Sequence, residues 1–291
     1  MLTLIYSCRI FLSLFAFFLI PFSLKSAKNS FNVRNSALLG EPKQKNFLEQ
    51  FRKGSVLVDL ALVFDVSVDH NNGEAKFFNG ILLTQSNGSR ESYYRVVIKE
   101  VSYNPAIRSN QIDYLFKRSE VSLGWIIQPV STHGRQLVES FSLFQPLLKE
   151  IDYTGFDLLM PFIHWSSYRY EGCVGPRFSL CQAYTMTPPQ DSQSLYKEVK
   201  MYINNRFATL NKAEFFKNEE LCKKVKVDRI KKVGERWFVK NIYIKSYSSN
   251  QDIKLTIRKI AFEQQFDPLI FSIESPQKFP DTSTIDYHSM D

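Results

Sequence analysis

No phosphate cradle can be read in this chain. Its 11 glycines among 291 residues never fall into Gly-x-Gly-x-x-Gly or a Walker loop, the arrangements that bring backbone N–H groups against a phosphate. A Gly-x-Ser-x-Gly elbow is missing too, and no histidine stands with a carboxylate in a recognisable triad pattern. These gaps argue against a nucleotide enzyme and a serine hydrolase, and no enzymatic activity is expected. His70, His133, His164 and His288 show no paired ligand spacing with the cysteines, so no metal and no cofactor is expected. His164, beside Trp165, reads as a packing or hydrogen-bonding residue at a helix end. Cysteine is rare. Cys8 precedes the apolar core of the N-terminal stretch, the wrong place for a lipid-modified cysteine. For Cys173, Cys181 and Cys222 two readings stand. A Cys173–Cys181 disulfide would close a short loop in an oxidising compartment and leave one thiol over; otherwise all three are free, buried and apolar.

Long apolar runs are confined to the N-terminus. Residues 1–27 carry Arg9 as their only early charge, then an uncharged stretch from 10 to 24 rich in Phe and Leu, the flank-and-core pattern of a signal peptide. The expectation is export to the periplasm, with an uncleaved inner-membrane anchor as the alternative. No second stretch approaches the roughly 20 apolar residues that span a bilayer. Removing the leader takes Arg9 and Lys25 and no acid from 37 basic and 29 acidic residues, leaving a net charge of about +6. Diffuse attraction to anionic headgroups fits that charge; nucleic acid is not signalled.

What the chain has in quantity is alternation. From Val56 the even positions Val56, Val58, Leu60, Leu62, Phe64, Val66 and Val68 are all apolar, and side chains on a strand alternate faces, so this row is a buried sheet surface. A short amphipathic helix over 41–53, with Phe47, Leu48 and Phe51 at helical spacing, is expected to dock on the sheet. Strands are expected at 77–85 and 91–99, joined by an Asn-Gly hairpin signal at 87–88, and at 111–117, 121–128 and 135–141. The period changes between 143 and 170, where apolar residues cluster in helix-like or irregular text. Strands resume at 177–187, 195–204, 208–217, 222–233, 236–246 and 252–262 with hairpin-length connections, an up-and-down meander. The boundaries drawn are a leader at 1–27, a linker at 28–40, one domain at 41–273, and a polar tail at 274–291 with nothing to bury and expected to be mobile.

The basic run Lys223, Lys224, Lys226, Arg229, Lys231 and Lys232 alternates with Val225, Val227 and Ile230, and reads as the solvated outer face of a strand. The 25 Phe and 14 Tyr have two readings: ordinary core packing, or a groove lined for acyl chains. About a dozen strands face three helical pieces, and each apolar face must find a cover, which favours the groove.

The order Asp157-Leu158, Phe162, Trp165, Arg177, Cys181, Pro188-Pro189, the 196–203 strand and the closing pair 236–246 and 254–262 resembles bacterial outer-membrane lipoprotein-sorting proteins, the LolA-like periplasmic carriers, over residues 47–271. The resemblance implies a mainly β (α+β) fold, a half-open antiparallel β-barrel wrapped around a few helices in the LolA/LolB manner. It further implies a cavity that shields lipid or lipoprotein acyl chains on the way to the outer membrane, with membrane-associated release and acceptor proteins as partners and no chemistry on the cargo. Asn204-Asn205-Arg206-Phe207 stands where relatives carry an acidic, glycine-containing turn. The arginine that governs cargo release in the well-studied carrier has no matching position. The candidate cavity and lid residues are Trp125, Phe144, Leu158, Leu159, Phe162 and Trp165, in a chain expected to act as a monomer. A non-carrier envelope scaffold with a filled β core is the alternative.

Overall fold

The computed structural model describes residues 40–291 except 55–58, 71–72, 74, 88–90, 102–110, 120–121, 130–135, 150, 177–178, 191, 193, 235, 277–278 and 280. The leader, most of the linker, Val56, Val58, Arg177 and the Gly88 turn lie outside the described residues.

The helix α1 (Glu41–Gly54) leads into β1 (Leu60–His70), where the even row is buried as the alternation requires: Leu60, Leu62, Phe64, Val66 and Val68 all face the main core. β2 (Ala75–Asn87), β3 (Glu91–Glu100), β4 (Gln111–Arg118), β5 (Leu123–Pro129) and β6 (Gln136–Ser140) follow as an antiparallel meander. A second meander runs through β9 (Ser167–Val174), β10 (Cys181–Thr187), β11 (Glu198–Asn204), β12 (Leu210–Lys217), β13 (Glu220–Val233), β14 (Arg236–Ser246) and β15 (Gln251–Phe262). The two fuse where β1 pairs with β15, from Leu60 opposite Phe262 to His70 opposite Gln251. The resulting order is 6-5-4-3-2-1-15-14-13-12-11-10-9. β6 and β9 are the two edges and do not pair, so the sheet is not closed into a barrel. The half-open, mainly β architecture expected from the sequence is the one found.

That topology dictates where the intervening chain goes. Both meanders run between the shared centre and an outer edge, so residues 141–166, which connect one edge to the other, must cross a face of the sheet. They cross the inner one, as the small hairpin β7 (Pro146–Leu148) and β8 (Ile151–Thr154), the one-turn helix α2 (Gly155–Leu159) and a 3-10 turn (Pro161–His164). Two features of this stretch depart from the sequence reading. A strand, β9, begins at Ser167, inside text read as irregular, and its alternation of Tyr168 and Tyr170 with Arg169 and Glu171 is the signal that was there. The reversal between α2 and the 3-10 turn is made at Met160, a buried non-glycine residue at φ 41°.

One glycine is demanded by packing. Gly80 on β2 lies opposite Phe64, and a Cβ there would stand 2.5 Å from the Phe64 ring and 2.8 Å from the Val97 carbonyl oxygen.

The tail is docked, contrary to the expectation that it has nothing to bury. From Phe262 onward the chain folds back over the outer face of β1–β5, where Ile270 and Phe271 join Ala61, Leu83, Leu115 and Ile127 in a second core, with Phe279, Ile285 and Tyr287 against it. Arg95, projecting outward from β3 and almost wholly buried, is the anchor. Its guanidinium donates to Asp113 (2.7 Å), to the Ile270 carbonyl (2.8 Å) and to the Pro276 carbonyl (2.5 Å), under the Phe279 ring. A short strand β16 (His288–Ser289) pairs with β15, and Met290 is buried in the main core. A mostly polar segment can dock when its few apolar residues find an uncovered sheet face and its carbonyls find a fixed donor.

The Cys173–Cys181 bridge is not formed. Cys173 lies opposite Gln182, so it shares a face with Gln182, and Cys181, one residue away, points to the other face. Cys173, Cys181 and Cys222 are free thiols, and burial raises the pKa of Cys181 to about 11. Among the described residues no helix is long and apolar enough to cross a membrane.

Candidate functional site: the plugged inner face

The inner face carries an apolar row from nearly every strand, and residues 143–165 fill it. Phe156 is the hub. Its ring stacks on Phe144 at 5.1 Å and meets Tyr196 at 5.3 Å, Trp165 at 6.1 Å and Phe162 at 6.2 Å; Phe162 in turn meets Phe215 of β12 edge-on at 5.4 Å. Leu158, Leu159, Phe162 and Trp165 are buried here and Phe144 packs partly buried against them, so five of the six residues singled out from sequence come together. Trp125 does not. It points outward from β5 into the second core, because it sits one step out of register with the inner residues Phe116 and Ile126.

These residues plug the face; they do not line a void. The inner cavity between the sheet and the plug, bounded by Phe64, Val66, Ile98, Leu148, Tyr153 and Leu158, holds about 10 Å³, room for about one water, whereas a benzene-sized guest needs about 150 Å³. The expected open groove is therefore absent in this conformation. The roomier space is an open groove of about 530 Å³ on the opposite face, between Tyr93, Leu115, Lys117 and Trp125 and the docked tail at Phe271 and Ile273.

Polar groups fasten the plug. Thr154 and Asp157 form a reciprocal cap on α2: the Thr154 hydroxyl accepts from the Asp157 N–H, and Asp157 Oδ2 accepts from the Thr154 N–H and hydroxyl. Lys223 reaches Asp157 Oδ2 at 2.6 Å and Asp152 Oδ1 at 2.9 Å, with Lys223 and Asp157 both essentially inaccessible to solvent. Lys223 therefore does not belong to the solvated basic run. It lies opposite Phe215 on the inner row, whereas Lys224 and Lys226 face outward and Arg229 and Lys232 are exposed. Its position in the alternation was the available signal. On the other side Arg52 of α1 donates to the Ile163 carbonyl (2.8 Å) and the Trp165 carbonyl (2.6 Å), and the Tyr114 hydroxyl donates to the Leu147 carbonyl. Sequence reasoning missed Arg52, Asp152 and Lys223 because their partners are about 70 to 110 residues away. His164 ends the 3-10 turn at the surface. Among the described residues no group of His, Cys, Asp and Glu could hold a metal ion.

Burial opposes charge on Lys223, yet Asp157, Tyr196 and Asp152 outweigh it and hold its pKa above the usual lysine range. Burial likewise opposes charge on Asp152, while Lys223 and the hydroxyls of Ser246 and Ser248 hold it below the usual carboxylate range. Asp152's contribution to stability is therefore complete above its unfolded value of 3.8 and is lost as pH falls through its lower native value. The stability difference between the protein and Asp152→Asn, from urea unfolding, is expected to be constant from pH 5 to 8 and to shrink between pH 4 and 2. A difference that is flat across that range counts against the pairing.

A model of an uncharacterised protein family matches residues 175–275, the stretch from the end of β9 through the start of the tail. No curated relative matches the chain in sequence. Three solved structures share its architecture across most of its length. A DUF1329 family protein from Desulfovibrio piger superposes with a TM-score of 0.65 at 12% identity, over 80% of this chain and 98% of its own. A putative outer membrane lipoprotein-sorting protein domain from Vibrio parahaemolyticus gives 0.62 at 11%, over 81% and 96%. A LolA superfamily protein from Nitrosomonas europaea gives 0.58 at 14%, over 79% and 97%. The chain shares the fold of these three proteins, a LolA-like fold.

Within this LolA-type sheet, the segment resembling the sorting proteins maps onto both plug and sheet. Asp157, Leu158, Phe162 and Trp165 belong to the plug; Cys181 opens β10, and the 196–203 stretch holds all of β11 but its last residue. The glycine-free turn after β11 is built by Asn204, whose side-chain oxygen accepts from the N–H groups of Arg206 (2.8 Å) and Phe207 (3.1 Å).

Proposed function

We propose that this chain is an exported, periplasmic, non-enzymatic carrier whose inner face receives the acyl chains of a lipid or lipoprotein for sorting toward the outer membrane. In the empty state its own plug occupies the groove. The observation that carries this reading is the plug itself: Phe156, Leu158, Leu159, Phe162 and Trp165, all on one short connection between two unpaired edges, present to the sheet the apolar surface a lipid tail would present. Displacing it exchanges one hydrocarbon for another, and each buried methylene of cargo contributes about 0.8 kcal/mol toward the exchange. The likeness in fold to a lipoprotein-sorting domain and a LolA superfamily protein supports the same reading.

Trp165 supplies the test. In a Trp125→Phe/Trp237→Phe background it is the remaining tryptophan. Adding a single-chain phospholipid is expected to shift its emission, a brominated analogue to quench it, and solvent extraction of the purified protein to yield lipid. An unchanged Trp165, a clean extract and no gain from an apolar dye would overturn the carrier and support the second reading, an envelope scaffold with a filled core. The near-absence of inner void favours that second reading.

A further inference from the structure

The docked tail covers the outer face of β1–β5 and reaches β13–β15 through Asp291, against Lys231, Lys240 and Arg258, leaving Lys226, Tyr243, Lys245 and Asp252 exposed farther along these strands. There the cross-strand register lays out two rows. One runs Tyr202, Lys212, Lys226, Tyr243, Lys254 across five consecutive strands; the next runs Lys200, Glu214, Lys224, Lys245, Asp252. At about 4.8 Å between strands each row spans roughly 19 Å.

Lys212 stands directly opposite Lys226, and Lys224 opposite Lys245, pairings that destabilise a sheet. Glu214 relieves part of the repulsion through Lys212 (2.7 Å) and Lys224 (3.8 Å), and Asp252 lies 3.6 Å from Lys245. Lys226 and Lys254 make no ion pair among the described residues, and Lys254 sits 5.6 Å from the Tyr243 ring, itself exposed. The inner neighbours Val225, Ile242, Ile244, Ile253 and Leu255 are buried, so the strands are held from the other side and the lysines are available to a partner.

We infer that the outer face of β11–β15 is a docking surface for an anionic lipid bilayer, approached by Lys224, Lys226, Lys245 and Lys254 with Tyr243 among them. Both rows lack arginine, whose planar fork suits bidentate phosphate or base recognition, and use lysine, a hydrated point charge suited to a diffuse layer of headgroups. Tyrosine, apolar in its ring and polar at its tip, belongs at that depth. This surface is on the opposite face from the plug and does not depend on acyl-chain binding.

Co-sedimentation with vesicles tests it, using the chain from Gly40 onward, which keeps every described element and lacks the apolar leader. Binding is expected to phosphatidylcholine vesicles containing 30% phosphatidylglycerol, to weaken steeply with salt, and to be absent with phosphatidylcholine alone. The triple variant Lys224→Gln/Lys226→Gln/Lys254→Gln should lose on the order of a hundredfold in partitioning, at about fivefold per lysine. Its melting temperature should be equal or higher, since like-charge pairs are removed. A control with Lys43, Lys45 and Lys99 changed to Gln should bind as the parent does. No binding to anionic vesicles, equal loss in the control, or binding to a 20-nucleotide single strand through the same three lysines and not to vesicles, would each overturn the assignment.

Discussion

Replacing Lys223 by methionine is expected to destabilise the protein by about 3–5 kcal/mol, the cost of leaving a buried charge without its partner. The asymmetry between its two carboxylates sets that magnitude. Asp152 is partly exposed and can rehydrate when the ammonium is removed, but Asp157 is fully buried and its Oδ1 has no hydrogen-bond partner among the described residues. With Lys223 gone, Asp157 keeps only the Thr154 N–H and hydroxyl on its other oxygen. The companion Lys223→Met/Asp157→Leu should recover most of the loss, because replacing a buried pair with apolar groups of similar volume is close to neutral. Urea unfolding of the two variants measures both values. A single-variant cost below about 1 kcal/mol would mean that the pair does not anchor the plug to the sheet.

Truncating Phe162 to alanine is expected to cost about 3–5 kcal/mol, as large-to-small changes at fully buried aromatic positions do. The ring lies between Phe156, Trp165 and Phe215, contributed by the plug and by β12, so no single neighbour can collapse into the space it leaves. The vacated volume lies on the inner face, where the present void admits about one water. Phe162→Ala should therefore bind an apolar dye such as N-phenyl-1-naphthylamine with a clear fluorescence gain over the parent at equal fraction folded. Loss of stability without dye uptake would show that the plug closes over the gap and would weaken the carrier reading.

Much of the strand layout was legible because alternation is local. The even row of β1, the long strands β13, β14 and β15 and the docking helix α1 each declare themselves within a dozen residues, through a period of 2 or 3.6 that no distant partner can alter. The plug was legible as a departure from period and as an aromatic cluster, and five of its six candidate residues do meet. Whether it walls a groove or fills one was not legible, because whether an apolar side chain borders a void or fills it depends on the distance between two surfaces that are separate in sequence. Trp125 failed for a related reason. Alternation assigns it to one of two faces, but both faces of β5 are covered, one by the plug and one by the tail, so apolar character alone does not choose between them.

The sequence by itself determined most of the long extended segments and their turns, though not β7, β8 or β9, together with which rows are apolar and the likeness to the lipoprotein-sorting fold. The tertiary structure alone decided that β1 and β15 pair to fuse two meanders, that β6 and β9 stay apart, that residues 141–166 must then cross and fill the inner face, and that a polar tail seals half of the outer one. Side-chain periodicity is set by bonds between neighbours, whereas closure, filling and coverage are set by the summed register of many strands and by volumes that meet only after the chain has folded.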